Sequence, residues 1–219
     1  MPDLSYEAAA RCDAVCGIDE VGRGPWAGPV LAAAVILDCA RLPASLAERI
    51  DDSKKLSRPQ REAIAAALPD CARIGIGVAD VVEIERLNIY WASLLAMQRA
   101  VHALPTPPRF ALVDGRGAPD LPCPVRCIVG GDGLSLSIAA ASIVAKVARD
   151  RLMTGFGAEY PGYGFERHMG YGTRAHRAAL RERGPTPLHR MGFPCVRAFL
   201  DQLALALPMQ PAVSPSGHT

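Results

Sequence analysis

Short hydrophobic runs alternate along this chain with longer segments in which hydrophobic residues recur at helical spacing. The first three runs follow one another with few helical signals, which favours antiparallel pairing. Long helical patterns separate the later runs, which favours parallel crossover connections. The pattern therefore predicts an α/β fold with five strands, all rich in valine and isoleucine or bounded by turn signals, at roughly 14–19, 30–37, 72–79, 110–114 and 125–129.

Residues that can cap a helix mark where the helical segments begin. Ser57 precedes a helix that is expected to reach Leu68, because proline and glutamine follow it in the first turn. Asp80 begins a short helix, and Asn88 can cap a longer one. The alanine-rich segment 136–153 is predicted to form a helix that is buried on much of its surface.

The texture of the sequence changes after residue 154. Glycine, proline and tyrosine interrupt the next segment, 155–173, which predicts a loop. Arginine-rich helices are predicted near 174–183 and 195–206, and the proline-rich end of the chain is expected to be disordered. The domain organisation expected from these changes is an α/β core at 12–154, a helical C-terminal lobe at 155–207 and a tail at 208–219.

Charge is distributed unevenly, although the formal net charge is only +2. Residues 146–197 hold ten lysines and arginines against four acids, a balance of +6, and the remainder carries −4. A basic C-terminal third beside an acidic body suits a protein that grips a polyanion with one part and holds cations with the other. A solvated arginine-rich helix face would explain the same pattern equally well.

The cysteines and the N-terminus bear on the cellular compartment. Seven cysteines without a C-x-x-C pair fit neither a disulfide framework nor a zinc site, so reduced thiols and a cytoplasmic location are expected. The first sixteen residues contain acids and no apolar core, so no signal peptide is expected. The longest apolar run, 27–37, is interrupted by glycine and proline and is too short to span a bilayer.

Four acids follow predicted strands: Asp19 and Glu20 after VCGI, Asp114 after FALV, and Asp132 after RCIVGG. In open α/β sheets, functional groups collect just beyond strand ends. If these strands are neighbours, the carboxylates converge and repel one another unless cations neutralise them. Four hard oxygen ligands suit a pair of Mg²⁺ or Mn²⁺ ions, which can cleave phosphodiesters. A lone aspartate at a strand end is usually a turn former, but that explanation is weak for four acids together.

The glycine-rich segment after the first two acids allows two interpretations. Adjacent strand residues face opposite sides, so a bend at Gly22 and Gly24 could bring Asp19 and Glu20 to one site. The letters GRGPWA also fit the G-x-G-x-x-A fingerprint of dinucleotide-binding folds. That motif must open a helix, and Pro29 with the β-type run behind it argues against a helix there. The dinucleotide-binding interpretation is therefore disfavoured.

The chain resembles the bacterial type 2 ribonucleases H from about residue 16 to residue 197. Six blocks occur in the family's order and spacing, which is more specific than any single block. They are GIDEVGRGPWAGPV (17–30), DSKKLS (52–57), LNIYWASLLAMQRAV (87–101), LVDG (112–115), GGDGLSLSIAAASIVAKVARD (130–150) and YPGYGFERHMGYGT (160–173).

The resemblance implies a ribonuclease H-like fold, a mixed five-stranded sheet with helices on both faces and a C-terminal lobe that grips the substrate. The implied activity is hydrolysis of the RNA strand of RNA–DNA hybrids, including single ribonucleotides in duplex DNA, leaving 5′-phosphate ends. Mn²⁺ or Mg²⁺ is the implied cofactor, with two ions per site. The expected partners are RNA–DNA hybrid duplex and ribonucleotide-containing DNA; no membrane or obligate protein partner is evident, and a monomer is expected.

The same resemblance assigns roles to particular residues. Without its block, the tyrosine among them would be interpreted as a half-buried surface residue. A phenol can instead bond a 2′-hydroxyl, the group that distinguishes RNA from DNA. The family's residues fall on Asp19, Glu20, Asp114 and Asp132 as the catalytic, metal-binding acids, on Gly22, Arg23 and Gly24 as the turn that meets the ribonucleotide, and on Tyr171 as the sensing tyrosine.

Three positions depart from the family pattern: Gly130, Leu134 and Met169 stand where relatives carry lysine. Each change removes positive charge near the substrate, which puts substrate affinity in doubt more than chemistry. The four acids are intact.

Competing interpretations make different demands on the sequence. Type 3 enzymes carry an extra N-terminal domain and a glutamate as the fourth acid, so the sixteen residues before Gly17 and the aspartate at 132 favour type 2. A DNA strand transferase of the same superfold would need a DNA-binding domain for which 219 residues leave no room. A hybrid-binding module without catalysis would have lost a carboxylate, and none is lost.

Overall fold

All five predicted strands join one mixed sheet in a computed structural model, which describes residues 1–199. The strand order is β3-β2-β1-β4-β5. The first three strands pair antiparallel, and β4 and β5 extend the sheet in parallel with β1, as predicted. The bounds are β1 Val15–Val21, β2 Val30–Leu37, β3 Ala72–Ala79, β4 Phe110–Asp114 and β5 Val125–Ile128.

Burial along the strands explains their sequence pattern. Every residue of β2 is buried, because helices cover this interior strand on both faces, so its sequence is a continuous apolar run. The edge strand β3 alternates between buried and exposed residues, with Ile76 and Val78 on the exposed side. Continuous runs therefore correspond to the middle of the sheet and alternation to its edge.

Helices lie on both faces of the sheet, as expected. The core on one face joins β1, β2 and β4 to α4, and the core on the other face joins β2 to α3 and α5. No helix among the described residues is long and apolar enough to cross a membrane. The helix bounds are α1 Ser5–Ala9, α2 Ala44–Ala47, α3 Arg58–Ala67, α4 Val81–His102, α5 Leu136–Glu159, α6 Phe165–His168 and α7 Arg174–Arg183.

The two helices predicted from Asp80 and Asn88 form one kinked element, α4. Asp80 and Glu83 form a reciprocal capping box at its start. Asn88 has a φ of 67° and interrupts the helix, and its side-chain oxygen accepts hydrogen bonds from the amides of Tyr90 and Trp91. Asn88 is thus the cap of the second segment, as predicted.

Gly17 allows α5 to lie directly against β1. A Cβ at this position would stand 2.1 Å from the carbonyl carbon of Ser137, so any side chain there would push the helix away. This close approach places the face of β1 that carries Asp19 under the first turns of α5.

The loop predicted from residue 155 begins later than expected. Helix α5 continues to Glu159, and α6 forms a further turn within the segment. Phe156 packs against the apolar cluster of the C-terminal part, so tertiary packing overrides the low helix propensity of Gly155 and Gly157. The domain boundary predicted at 154/155 falls inside α5.

The described C-terminal residues pack onto α5 through an apolar cluster that includes Met153, Phe165 and Met169. Helix α7 matches the predicted helix at 174–183. The helix predicted at 195–206 extends beyond the described residues, and the tail at 208–219 lies outside them.

Candidate active site

The four predicted acids lie at one edge of the sheet. Asp19 and Glu20 stand near the end of β1, Asp114 ends β4, and Asp132 lies in a short 3₁₀ turn that follows β5. Because β1, β4 and β5 are parallel, their carboxyl ends meet at the same edge. The Gly131 amide donates to Asp114 Oδ1 at 2.7 Å, which ties the turn carrying Asp132 to the end of β4.

Asp19 and Glu20 both belong to β1, so the bend expected at Gly22 and Gly24 is not what brings them together. The β1–β4 pairing ends at Ile18, so both acids stand beyond the part of β1 that pairs with β4, although both still pair with β2. The Glu20 amide donates to Asp19 Oδ1 at 2.7 Å. Glu20 extends from the opposite face of the strand, and the charge of Asp114 acts on both carboxylates.

Burial and mutual repulsion make the charges of these acids unfavourable. Burial, followed by the charges of Glu20 and Asp114, raises the pKa of Asp19 well above its usual range. Burial also raises the pKa of Glu20, although the Arg23 guanidinium opposes the shift. The pKa of Asp114 is raised by burial, against the hydrogen bond from the Gly131 amide. Such a cluster favours the binding of cations.

A lysine that the sequence analysis left without a role lies beside the acids. Lys54 Nζ stands 3.3 Å from Asp132 Oδ2. Its loop is fixed from below, since the Ser142 hydroxyl of α5 donates to the Ser53 hydroxyl and Arg61 donates to the Ser53 carbonyl. The DSKKLS block indicated this loop in the sequence. Its contact with Asp132 could not be predicted, because the two residues are 78 positions apart along the chain.

The carboxylate oxygens of the four acids are suitable ligands for divalent cations. In this structure, however, some of these oxygens bond to protein groups. Within residues 1–199, no three carboxylate, thiol or imidazole groups converge as in a preformed metal cage. Glu20 pairs with Arg23 at 3.2 Å and Asp132 pairs with Lys54, so oxygens that could bind a cation are partly engaged. Four carboxylates are nevertheless the hard oxygen ligands that Mg²⁺ and Mn²⁺ prefer. Asp19, Glu20, Asp114 and Asp132 are the residues that could hold such ions.

The predicted turn and the predicted tyrosine are neighbours in the structure. A Cβ at Gly24 would lie 3.7 Å from Cε1 of Tyr171, whose side chain is 45% exposed. The Trp26 amide donates to the Gly170 carbonyl at 2.8 Å. Gly172 lies so close to the Trp26 ring that a Cβ there would stand 2.3 Å from ring atoms. Turn and tyrosine therefore form one wall beside the acids.

Two buried arginines hold the segment 22–29, which we call the glycine turn. Arg149 of α5 donates to the carbonyls of Pro29, Ala27 and Met169. Arg190 donates to three other carbonyls, those of residues 22, 23 and 28. Neither side chain is exposed to solvent. Both belong to the basic region 146–197, and arginine composition alone does not reveal that their charges are buried.

A hydrogen-bonded pair of histidines fixes the backbone of Tyr171. The Thr186 amide donates to His189 Nδ1, so neutral His189 carries its proton on Nε2. That group donates to His176 Nε2 at 3.0 Å, which leaves His176 Nδ1–H to donate to the Tyr171 carbonyl. Burial lowers the pKa of both His176 and His189 to about 4. His168 stacks on His176, with ring centroids 4.6 Å apart.

The three departures from the family pattern lie in different environments. Met169 is buried in the apolar cluster on α5, so its side chain packs in the interior and a lysine charge there would have to leave it. This differs from the expectation that position 169 presents its side chain to the substrate. Leu134 is 44% exposed, and Gly130 is exposed with a φ of 69°. Both of these positions face solvent near Asp132.

A cavity of about 540 Å³ among the described residues is lined by neither the acids nor the glycine turn. Glu7, Val15, Leu37 and Ala72 are among its lining residues, which places it at the opposite edge of the sheet. The candidate site therefore lies away from this cavity, at the carboxyl ends of β1 and β4.

Comparison with known proteins identifies the family. A model described as Ribonuclease HII matches residues 16–196. A ribonuclease HII of Paramagnetospirillum magneticum is 58% identical over 200 residues, covering 91% of this chain and 99% of that protein. The crystal structure of the ribonuclease H2 of Pyrococcus horikoshii OT3 has a TM-score of 0.74 and 23% identity, covering 87% of this chain and 98% of that one.

A second solved structure, that of Bst-RNase HIII in complex with Mn²⁺, has a TM-score of 0.67 and 21% identity and covers 91% of this chain and 74% of that one. At these identities the solved structures bear on the fold alone, and they confirm the predicted ribonuclease H-like architecture. The family model and the sequence relative confirm the resemblance found in the sequence. The chain belongs to the ribonuclease HII family and is a ribonuclease H hydrolase.

Proposed function

We propose that this protein hydrolyses the RNA strand of RNA–DNA hybrids, including single ribonucleotides embedded in duplex DNA. The observation that carries the proposal is the position of four carboxylates beside a wall built from the glycine turn and Tyr171. Membership of the ribonuclease HII family supports the same substrate class. The expected partners are the nucleic acids alone, with the protein acting as a monomer.

Asp19, Glu20, Asp114 and Asp132 are proposed to hold two divalent cations, Mn²⁺ or Mg²⁺. The Mn²⁺ complex of Bst-RNase HIII supports the choice of metal by analogy of fold. When bound, such ions make a bound water more acidic and neutralise charge on the leaving oxygen. The raised pKa values of Asp19, Glu20 and Asp114 support this assignment, because a cation would remove the repulsion that causes part of the shifts.

The proposed reaction is hydrolysis of the phosphodiester on the 5′ side of the ribonucleotide. A water oxygen attacks the phosphorus and loses a proton to solvent. The bond to the 3′-oxygen of the preceding nucleotide breaks, and that oxygen takes up a proton. The products carry a 3′-hydroxyl and a 5′-phosphate.

Recognition of the ribose is assigned to Tyr171 and the turn Gly22-Arg23-Gly24. Gly24 has no side chain and is exposed, so a sugar can approach the backbone there, and the Tyr171 ring lies alongside. A phenol in this position can bond a 2′-hydroxyl, which DNA lacks. Arg23 pairs with Glu20 at 3.2 Å, which links the recognition wall to the acids.

Cleavage of a duplex with one ribonucleotide tests the proposal. The duplex would be incubated with the protein and Mg²⁺, Mn²⁺ or chelator, and the cut mapped on a sequencing gel beside an all-DNA duplex. We expect a single cut at the 5′ side of the ribonucleotide that requires metal and is absent from the all-DNA duplex. Metal-independent cleavage, or binding without cleavage in either metal, would contradict the proposal, and the latter result would favour a non-catalytic hybrid-binding protein.

A further inference from the structure

We propose that Arg190 is a positioning residue that makes the glycine turn a phosphate-binding cradle. Its guanidinium draws the carbonyls of Gly22 and Arg23 into the protein, so that the amides of the next residues face the substrate backbone. This inference rests on the proposed function, because the contact of this turn with the ribonucleotide and its phosphate is what the resemblance to the family implies, and only the role of Arg190 is new.

The contacts of Arg190 are directed at the part of the turn that faces the site. Nη2 donates to the Gly22 carbonyl at 2.6 Å, and Nη1 donates to the Arg23 carbonyl at 2.9 Å. Nε and Nη2 donate to the Gly28 carbonyl at 2.9 and 2.7 Å, which closes the turn from behind. The side chain is fully buried. The planar fork of an arginine is suited to hold several carbonyls in fixed directions.

The direction of these carbonyls determines the direction of the neighbouring amides. In a planar trans peptide the carbonyl and the N–H point to opposite sides. The Gly22 and Arg23 carbonyls point inward to Arg190, so the N–H groups of Arg23 and Gly24 point outward. Both residues are exposed, and among the described residues neither amide donates to another protein group. Successive outward amides form a concave donor site for an anion.

Positive charge behind the turn adds to its preference for phosphate. Arg190 and Arg149 are buried side by side, and within the described residues neither forms a salt bridge. Burial lowers the pKa of Arg190 to about 9, with Arg149 adding to the shift, and burial lowers the pKa of Arg149 to about 10. Both guanidinium groups therefore stay charged at neutral pH, with the Phe193 ring 5.2 Å from the Arg190 guanidinium carbon. Buried charges without a salt-bridge partner are costly, and a bound phosphate would add negative charge to that supplied by Glu85 and Asp150.

Arg149 provides a matched control within the same structure. It is as buried as Arg190 and donates to the turn carbonyls of Ala27 and Pro29; its side chain packs against Gly22 but donates to neither the Gly22 nor the Arg23 carbonyl. A purely structural role in holding the turn would make the two arginines equivalent. A role in aiming the amides of Arg23 and Gly24 belongs to Arg190 alone.

The experiment combines protein variants with neutralised phosphates. Duplexes with one ribonucleotide would carry a methylphosphonate at each nearby non-scissile phosphate in turn, and dissociation constants would be measured in Ca²⁺ for wild type, Arg190→Met and Arg149→Met. In the wild type one neutral linkage should weaken binding by about tenfold to a hundredfold, as expected for a charge-assisted hydrogen bond. Arg190→Met should lose a similar factor on the native duplex and show no further loss with that linkage. Binding by Arg149→Met should still weaken when that phosphate is neutralised, as it does for the wild type.

Circular dichroism and thermal unfolding would establish whether each variant folds. If Arg190→Met does not fold, Arg190→Lys retains the charge without the fork and should lose most of the sensitivity. In ¹⁵N-labelled wild type, the Arg23 and Gly24 amide resonances should shift with the native duplex and not with the neutralised one. Unchanged amides, or a variant at 190 with full sensitivity, would overturn the proposal. Failure of the wild type to cut any ribonucleotide duplex would instead overturn the proposed function.

Discussion

Asp19 is a buried carboxylate whose charge is unfavourable in the protein without metal. Its pKa is raised by burial and by Glu20 and Asp114, so the folded state binds a proton more readily than the unfolded state. Its contribution to stability is therefore present at low pH and is lost as the pH rises through the folded pKa. Removing the charge of Asp19 should therefore stabilise the protein without metal, although it should reduce activity.

Asp19→Asn should lower the cleavage rate by at least about a thousandfold, because an amide cannot replace a carboxylate as a metal ligand. In chelator the variant should unfold at a higher urea concentration than the wild type, and the difference should be larger at pH 8 than at pH 5. Circular dichroism in urea and single-turnover cleavage check the two effects. Asp13→Asn, at an exposed acid paired with Arg109, is the control and should change neither. A rate above about a tenth of wild type would contradict the metal assignment.

Substitutions at Tyr171 test its proposed role in ribose recognition separately from the metal site. Tyr171→Phe removes one hydroxyl and keeps the ring beside Gly24, so cleavage of a single embedded ribonucleotide should fall by roughly threefold to tenfold. Tyr171→Ala should cost considerably more, and long hybrids should suffer less than the single ribonucleotide. Metal affinity measured by calorimetry should be unchanged in both variants. Wild-type rates for Tyr171→Ala on both substrates would leave this residue as a packing residue only.

The sequence predicted site residues that lie in a recognisable local pattern. It did not predict residues whose role depends on contacts with distant parts of the chain. The four acids follow apolar strands, and Tyr171 lies in a recognisable block. Lys54, Arg149 and Arg190 reach their partners across long separations, and nothing in their local sequence shows which arginines are buried. The sequence alone does not distinguish a buried arginine from a solvated one.

At the scale of elements, two glycines should respond in opposite ways to alanine. Gly172→Ala would place a Cβ 2.3 Å from the Trp26 ring, which should cost about 1–3 kcal/mol of stability and displace the adjacent Tyr171. Single-ribonucleotide cleavage should therefore fall as well. Gly155→Ala, in open space within α5, should stabilise the protein by about 0.5–1 kcal/mol and leave cleavage unchanged. Urea unfolding and rates on one substrate would check both, and equal effects would contradict the packing argument.

Elements were predicted well where burial imposes a simple pattern. The strands agree with their predicted ranges because a sheet covered on both faces needs continuous apolar runs. The predicted end of α5 was wrong by six residues, because local glycine content predicts a break while Phe156 packs the extra turn into the C-terminal cluster. Pairing between distant strands follows from the order of the runs, but the close contact of Gly17 with α5 does not.

At the scale of the whole molecule, salt should report whether the C-terminal arginines contact phosphates. Arg177 is exposed and stacks over Trp26 of the glycine turn at 5.2 Å. Arg177→Gln should reduce the slope of log affinity against log salt for hybrid duplex by about one. Arg126, also exposed and stacked on an aromatic ring, is the matched control, and Arg126→Gln should leave the slope unchanged. Equal slopes for wild type and Arg177→Gln would exclude a phosphate contact at this position.

Acid should destabilise the molecule through the histidine pair. The pKa of His176 and of His189 is lowered to about 4 from an ordinary value near 6.5, so the unfolded state takes up protons first as pH falls. Stability should decline between about pH 6.5 and pH 4, by about 3 kcal/mol for one such histidine at 1.36 kcal/mol per unit. The acids at the sheet edge have the opposite sign and moderate the net change.

His189→Gln isolates the histidine contribution. The acids are common to both proteins, so the stability difference between wild type and variant should shrink as the pH falls from 7 to 4. Urea unfolding in chelator at pH 7, 5.5 and 4 measures it. A difference that stays constant over this range would show that His189 titrates normally or not at all.

Helix α5 fixes the direction in which the contacts to the Lys54 loop and to the glycine turn point relative to each other. Ser142, which bonds the Lys54 loop, and Arg149, which bonds the glycine turn, are seven residues apart and so lie on the same side of the helix about two turns apart. One residue inserted between them would advance Arg149 by about 1.5 Å and rotate it by about 100°. Insertions and deletions should therefore be tolerated in the loops around α2 but not between Ser142 and Arg149. Within the helix, a change of length also turns the Arg149 side chain away from the glycine turn.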